Sequence, residues 1–173
     1  MEKPVGMVYD SGQVMFMADL QQLVGLLIAR GLTVSAAESC TGGAFAAGIV
    51  SVPDASRVLR ASFVTYSEAA KHELTGVPME TIQKYGVVSE EVAEAMARGA
   101  AAAGHADAGV GITGFAGPSG GTEKAPVGTV CFGFYLQDEC RAFTRHFDGL
   151  DRNGVRAAAV DFAAETLTEL LKR

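Results

Sequence analysis

The chain has 173 residues, with 14 Lys+Arg against 20 Asp+Glu and a formal net charge of −6. A chain of this length forms one domain that buries roughly 70% of its unfolded surface, so neither disulfides nor a structural metal is needed to complete a core. The acidic balance, without a run of Lys or Arg, disfavours a nucleic-acid partner, and no apolar run reaches the roughly 20 residues of a membrane helix.

Residues 1–17 show no clean period and are read as an N-terminal extension; residues 18–173 are read as a single domain. Leu20, Leu23, Val24, Leu27 and Ile28 recur at helical spacing, and Gly31 follows as a C-terminal cap. Thr33 to Ala37 suits a buried strand. Thr41-Gly42-Gly43 leads into a small-residue helix, Ala44 to Val50, that stops before Pro53. Val58 to Tyr66 predicts a second strand, and Ser67 caps a short helix that carries Lys71 and closes at Gly76. Pro78 takes the first position of the next helix, which Gly86 ends. Ser89, followed by Glu90 and Glu91, starts a helix running through Val92, Ala93, Met96, Ala97 and Ala100 to Gly104.

Ala108 to Thr113 reads as a third strand, and Gly114 to Pro126 as a Gly- and Pro-rich loop. Val127 to Leu136 and Cys140 to Phe147 predict a hairpin around Gln137-Asp138-Glu139. Asp151 caps a last helix with Val155, Ala159, Phe162, Thr166 and Leu170 on one face. This order predicts an α/β fold: a three-layer α/β/α sandwich with a mixed, mostly parallel sheet of about five strands, the hairpin supplying its antiparallel part. The 28 Ala and 21 Gly point to closely packed helices, and an Ala-rich face such as Ala93 to Ala103 suits either core or a subunit interface.

Cys40, Cys131 and Cys140 are an odd count without metal-ligand spacing and read as reduced thiols, although a hairpin would bring Cys131 and Cys140 near each other. The chain start lacks the basic stretch and apolar core of a secretory signal, so the expected compartment is the cytoplasm. His72, His105 and His146 have no partner at metal-ligand spacing and read as ordinary surface or edge histidines. Gly109, Gly111 and Gly114 satisfy G-x-G-x-x-G, but the pattern overlaps a strand and no helix follows. It is therefore not a dinucleotide fingerprint, and these glycines are read as letting the backbone approach a ligand or a neighbouring loop.

The most informative stretch is A-A-E-S-C-T-G-G, Ala36 to Gly43. It places a hydroxyl and a thiol between a strand and a helix, where unpaired backbone N–H groups and the helix dipole can hold an oxyanion or a phosphate. The same residues fit an ordinary Ser/Thr N-cap followed by a tight glycine turn. Tyr66 ends a strand and Lys71 lies one turn into the next helix. Alone, that lysine reads as a solvated surface residue; it gains weight only if it faces the Ser39 turn.

The strings A-E-S-C-T-G-G (Ala37 to Gly43), Y-S-E-A-A-K (Tyr66 to Lys71), V-V-S-E-E-V-A-E-A-M-A (Val87 to Ala97), I-T-G-F-A-G-P-S-G-G-T (Ile112 to Thr122) and P-V-G-T-V (Pro126 to Val130) occur in this order. On these residues the chain resembles the CinA C-terminal domain family of nicotinamide-nucleotide amidases, in its stand-alone form. The resemblance implies deamidation of nicotinamide mononucleotide to nicotinic acid mononucleotide and ammonia, with no metal or other cofactor. It implies Ser39 as nucleophile, Lys71 as its base and Tyr66 as an assisting hydroxyl. Glu68-Ala69 stand where the family has Asn-Glu, Ser119 where Gly is usual, and Ala125 rather than Lys precedes Pro126, with Lys124 displaced by one residue. These departures leave the dyad intact and remove any substrate contact from a lysine next to Pro126.

An amide is a poor electrophile, so serine needs a base and the carbonyl oxygen needs donors. A lysine of reference pKa about 10.4 pays roughly 4.6 kcal/mol to be neutral at pH 7, which burial can supply. Backbone N–H groups of Cys40, Thr41, Gly42 and Gly43 are the expected oxyanion donors. The loop carrying Thr113, Gly114, Ala116 and Gly117 is expected to cradle the ribose phosphate, with Arg152 or Arg156 assisting. Glu38 is expected to point away from Lys71, or to bind backbone or substrate hydroxyls, because a carboxylate partner would raise the lysine pKa. Two other readings stand beside this one. Cys40 could be the nucleophile, its thiol activated at a helix N-terminus. Alternatively, the glycine loops could bind a nucleotide or a partner protein without turnover. A small-molecule nucleotide is the expected partner, and a homo-oligomer, dimer or higher, is the expected assembly.

Overall fold

The computed structural model describes residues 17–173; of the expected N-terminal extension, residues 1–16 lie outside them, and Met17 opens helix α1 (Met17–Arg30). Five strands form one sheet in the order β2-β1-β3-β4-β5: β1 (Val34–Glu38), β2 (Leu59–Val64), β3 (Ala108–Gly114), β4 (Thr129–Leu136) and β5 (Glu139–His146). β1 pairs parallel with β2 and with β3, whereas β3–β4 and β4–β5 are antiparallel. Only β4 therefore runs against the other four strands, which is the mixed, mostly parallel sheet that the element order predicts. Residues of β1 are buried along its whole length, as a central strand covered on both faces requires.

The β4–β5 turn is shorter than the expected three residues. Gln137 and Asp138 alone make it, with left-handed φ of 53° and 64°, and Glu139 already belongs to β5. Two left-handed residues match the twist of the flanking strands, so the hairpin closes one residue earlier. In this register Cys131 lies opposite Thr144 and Cys140 opposite Tyr135, so the two cysteines do not face each other. All three cysteines are free thiols.

One helical layer holds α1, α2 (Ala44–Val50) and α6 (Arg152–Leu171), whose Leu23, Leu27, Phe45, Ile49, Val160 and Leu167 share a core with Val110, Ile112 and Phe132 of the sheet. On the other face lie α3 (Glu68–Thr75), α4 (Met79–Tyr85) and α5 (Glu90–Gly104). Ser67, Ser89 and Asp151 cap α3, α5 and α6 as the sequence predicts, their side-chain oxygens accepting from Ala70, Val92 and Gly154 N–H. The apolar face of α6 is wider than the predicted stripe. Val160, Ala163, Ala164, Leu167 and Leu171 are buried with Val155 and Ala159, while Phe162, Thr166 and Leu170 are only half-buried. α6 touches α1, α2 and β4 together, so its buried surface spreads around the helix.

Of the strand glycines, Gly109 and Gly111 approach a helix rather than the expected ligand or loop. A Cβ at Gly111 would sit 2.2 Å from the Ala93 carbonyl oxygen, and one at Gly133 would sit 2.1 Å from the same atom. The backbone they approach is that of α5, whose Ala93, Ala97, Ala100 and Ala101 are buried. Removing the side chains lets the helix lie directly on the sheet.

The three neighbouring parallel strands β2, β1 and β3 end on one edge of the sheet. The connection leaving β1 passes through α2 on one face, and that leaving β2 passes through α3–α5 on the other. Crevices at such a divergence, beyond the carboxyl ends of the strands, are where open α/β sheets bind ligands.

Candidate active site

Ser39 follows the last residue of β1. Its backbone N–H donates to the Ile112 carbonyl of β3 at 2.9 Å, which keeps it in sheet register, and its carbonyl accepts from Gly42 N–H at 3.0 Å, which closes the turn. The turn is not the Ser/Thr N-cap that its residues also fit. α2 is capped by Gly43 in the left-handed region, φ 94°, with no cap side chain of its own. A carboxylate from five residues upstream fills the helix end instead. Glu38, fully buried, accepts from Thr41 Oγ1 (2.7 Å), Gly43 N (3.1 Å) and Phe45 N (3.1 Å) at Oε2, and from Ala46 N (3.0 Å) and Ser62 Oγ (3.2 Å) at Oε1. Donors that the sequence leaves open for an external anion are therefore spent internally.

Lys71, on α3, has 0% exposure, and its Nζ lies 3.1 Å from Ser39 Oγ. Nζ also donates to the Thr65 carbonyl at 2.7 Å. One N–H is thus tied to backbone, and the amine is held with the serine hydroxyl in reach. Burial lowers the Lys71 pKa to about 8, and the neighbouring Cys40 and Glu68 only partly oppose it. At pH 7 the neutral amine then costs about 1 kcal/mol rather than about 5. Among the described residues, no carboxylate forms a salt bridge with this amine.

Cys40 is buried beside Ser39, and burial pushes its thiol up to about 12, with Glu38 adding to the rise and its own backbone, Lys71 and Arg156 opposing it. A thiol so far from ionisation is a poor nucleophile. Burial thus denies Cys40 the activated thiol that the alternative nucleophile reading requires, and the α2 end that could have lowered its pKa is taken by Glu38.

Ser39 and Lys71 open into a cavity of about 300 Å³ that is also lined by Cys40, Tyr66, Thr113, Gly114, Ala116, Gly117 and Arg152. That volume is at the lower end for small-molecule sites. Val87, Val88, Phe115, Ser119 and Gly120 complete the wall. No carboxylate lines it, so in a chain of net charge −6 this hollow presents cations only.

The expected site residues divide. Thr113, Gly114, Ala116 and Gly117 line the cavity, whereas Thr41, Gly42 and Gly43 do not. Thr41 is turned inward onto Glu38, and the Gly42 and Gly43 N–H groups are already bonded. Among the described residues, the N–H groups of Cys40 and Thr41 are the ones in this turn that donate no hydrogen bond. Tyr66 stands at the mouth, 62% exposed, and its hydroxyl accepts from Arg152 Nη2 at 2.8 Å rather than meeting the dyad. Arg152 Nη1 also donates to the Gly117 carbonyl at 2.6 Å, so this side chain spans the mouth. Arg156 instead donates to the Thr41 carbonyl at 3.0 Å, outside the cavity. The sequence offers one signal for Arg152, its place directly after the Asp151 cap; its reach across the fold to Tyr66 has none. No cluster of His, Cys, Asp and Glu among the described residues is placed to hold a metal ion, and no helix of the described residues is long and apolar enough to cross a membrane.

With this geometry in place, comparison with known proteins gives consistent matches. The family described as CinA C-terminal domain matches residues 17–171. Nicotinamide-nucleotide amidohydrolase PncC of Enterobacter agglomerans is 47% identical over 149 residues, covering 84% of this chain and 90% of that protein. A putative competence-damage inducible protein of Symbiobacterium thermophilum is 54% identical over 114 residues, which are 65% of this chain and 27% of that protein. The chain likewise spans 36% of a CinA-like protein of Kosmotoga olearia. Among solved structures, competence/damage inducible protein CihA from Agrobacterium tumefaciens superposes with a TM-score of 0.88 at 33% identity, covering 96% of this chain and 100% of that one. A CinA superfamily protein from Klebsiella pneumoniae superposes with a TM-score of 0.87 at 34% identity, covering 92% and 99%.

Proposed function

The chain belongs to the CinA C-terminal domain family, and from that premise we propose that it is an amidohydrolase that deamidates nicotinamide mononucleotide by a Ser39/Lys71 acyl-enzyme route. The observation that carries the proposal is a buried amine of lowered pKa, 3.1 Å from a serine hydroxyl, in a cavity without carboxylates. Ser39 Oγ attacks the carboxamide carbon while its proton passes to Lys71 Nζ. The distance supports direct transfer, with Tyr66 at the mouth rather than between the two groups. The carbonyl oxygen, now anionic, takes hydrogen bonds from the Cys40 and Thr41 N–H groups. Lys71 returns the proton to the departing nitrogen, which leaves as ammonia. Water then attacks the acyl ester with the lysine again as base, releasing the pyridine carboxylate and restoring Ser39.

The nucleotide phosphate lies toward the Gly114–Gly120 wall and the Arg152 guanidinium, because the α2 end is filled by Glu38. A binding module without turnover has less support, since it gives no reason to bury a lysine against a serine. The test is ammonia release from nicotinamide mononucleotide by the wild type, Ser39→Ala and Lys71→Ala. The wild type releases ammonia and both variants lose it by orders of magnitude. Near wild-type release by both variants would remove the proposal.

A further inference from the structure

We propose that Glu38 is the positioning residue that locks the two halves of the dyad together, an assignment that rests on the Ser39/Lys71 reading. The carboxylate holds the turn after Ser39 through Thr41 Oγ1 and Gly43 N, the start of α2 through Phe45 N and Ala46 N, and strand β2 through Ser62 Oγ. Its backbone carbonyl accepts from Thr65 N–H at 2.8 Å. Thr65 in turn offers the carbonyl that receives the Lys71 amine at 2.7 Å. One residue thus fixes the turn that presents the nucleophile and the strand end that anchors the base.

The side chain has no other contact that would account for its burial. It does not line the cavity, so it does not touch substrate. Among the described residues it has no salt-bridge partner. Five donors nonetheless converge on a carboxylate of 0% exposure, a larger investment than capping a short helix needs, since one side-chain oxygen from Ser or Asp suffices for that. A carboxamide cannot replace it. With its oxygen at the Oε2 site, its NH2 group faces the Ala46 N–H, donor against donor. The turn must then shift, and shifts of about 1 Å at reacting atoms lower rates by up to about 10²-fold.

The experiment uses Glu38→Gln and Thr41→Val in the full chain. It measures kcat and KM for ammonia release from nicotinamide mononucleotide, the rate of Ser39 labelling by a fluorophosphonate, and the melting temperature. Glu38→Gln lowers kcat and the labelling rate at least about tenfold with KM nearly unchanged. Thr41→Val, which removes one donor and keeps the shape, gives a smaller loss of the same kind and carries the test if the glutamine variant does not fold. Folded variants with wild-type kcat and labelling, or a loss confined to KM, overturn the proposal. If the wild type labels at Ser39 but releases no ammonia, the substrate assignment falls, while slower labelling of the variants still supports Glu38. If the wild type neither labels nor turns over, Ser39 is not an activated nucleophile and both fall.

Discussion

Replacing Lys71 by Met tests the central electrostatic claim through stability as well as activity. Lys71 has 0% exposure, and its pKa falls from 10.5 to about 8 because burial disfavours the charged form. The unfolded chain therefore binds more protons than the folded one between pH 8 and 10.5. Wild-type stability rises as pH climbs through this window, and the full penalty applies below it. The lowered pKa is worth about 3 kcal/mol against folding at pH 7, falling to about 1 at pH 10. Methionine has no such penalty, but it leaves the Thr65 carbonyl without its donor, at about 1–3 kcal/mol. That second effect does not vary with pH. The stability difference between variant and wild type thus changes by about 2 kcal/mol from pH 7 to pH 10, in favour of the wild type, as read from urea melts at each pH. In parallel, wild-type kcat/KM falls about tenfold per pH unit below 8, and the variant is inactive throughout. A pH-independent stability difference together with a flat rate profile from pH 6 to 8 would refute a lysine whose pKa burial lowers toward neutrality.

Asp161 is half-buried, and its carboxyl is raised to about 6 by burial, with Asp19 and Glu165 adding to the rise. Its ionised form opposes folding above pH 6, and that penalty fades as pH drops toward 4. Asp161→Asn therefore stabilises by about 1 kcal/mol at pH 7, after discounting for solvent screening, and by nothing at pH 4; melting curves at the two pH values check this. Ser35 has a buried hydroxyl with no partner among the described residues, so Ser35→Ala raises the melting temperature by a few degrees, about 1 kcal/mol, and a fall of that size would contradict the account. Gly111→Ala places a methyl 2.2 Å from the Ala93 oxygen and costs at least about 2–3 kcal/mol in denaturant melts, because neither backbone can yield cheaply. Arg152→Ala raises KM at least about tenfold with a smaller change in kcat if the guanidinium holds phosphate, and an unchanged KM in steady-state assays argues that it does not.

Local rules made some of this molecule legible and not the rest. Ser67, Ser89 and Asp151 announce helix starts because each cap is made by the residue at the boundary. Helix α2 hides its cap, since the acceptor comes from Glu38, beyond the window in which capping patterns are read. The Gln137-Asp138 turn is one residue shorter than the sequence predicts, and neither position carries the glycine that usually marks such a turn. The exposed face of α6 is blurred because Ala163 and Ala164 are buried beside larger residues, and alanine signals neither surface nor core. Ser39 and Lys71 are 32 residues apart, so no periodicity joins them. Family resemblance suggested the pair, and only packing brings it within hydrogen-bond reach. The Arg152–Tyr66 contact joins residues 86 apart, and no local pattern reports it.

None of the cavity-lining residues comes from β4 or β5. The domain is thus divided between a working half, whose strand tips carry the chemistry, and a scaffolding half, which keeps only sheet pairing and core packing. The Gln137-Asp138 bend projects from that second half, which makes it the natural place to graft a reporter peptide or immobilisation tag while turnover proceeds undisturbed at the other margin.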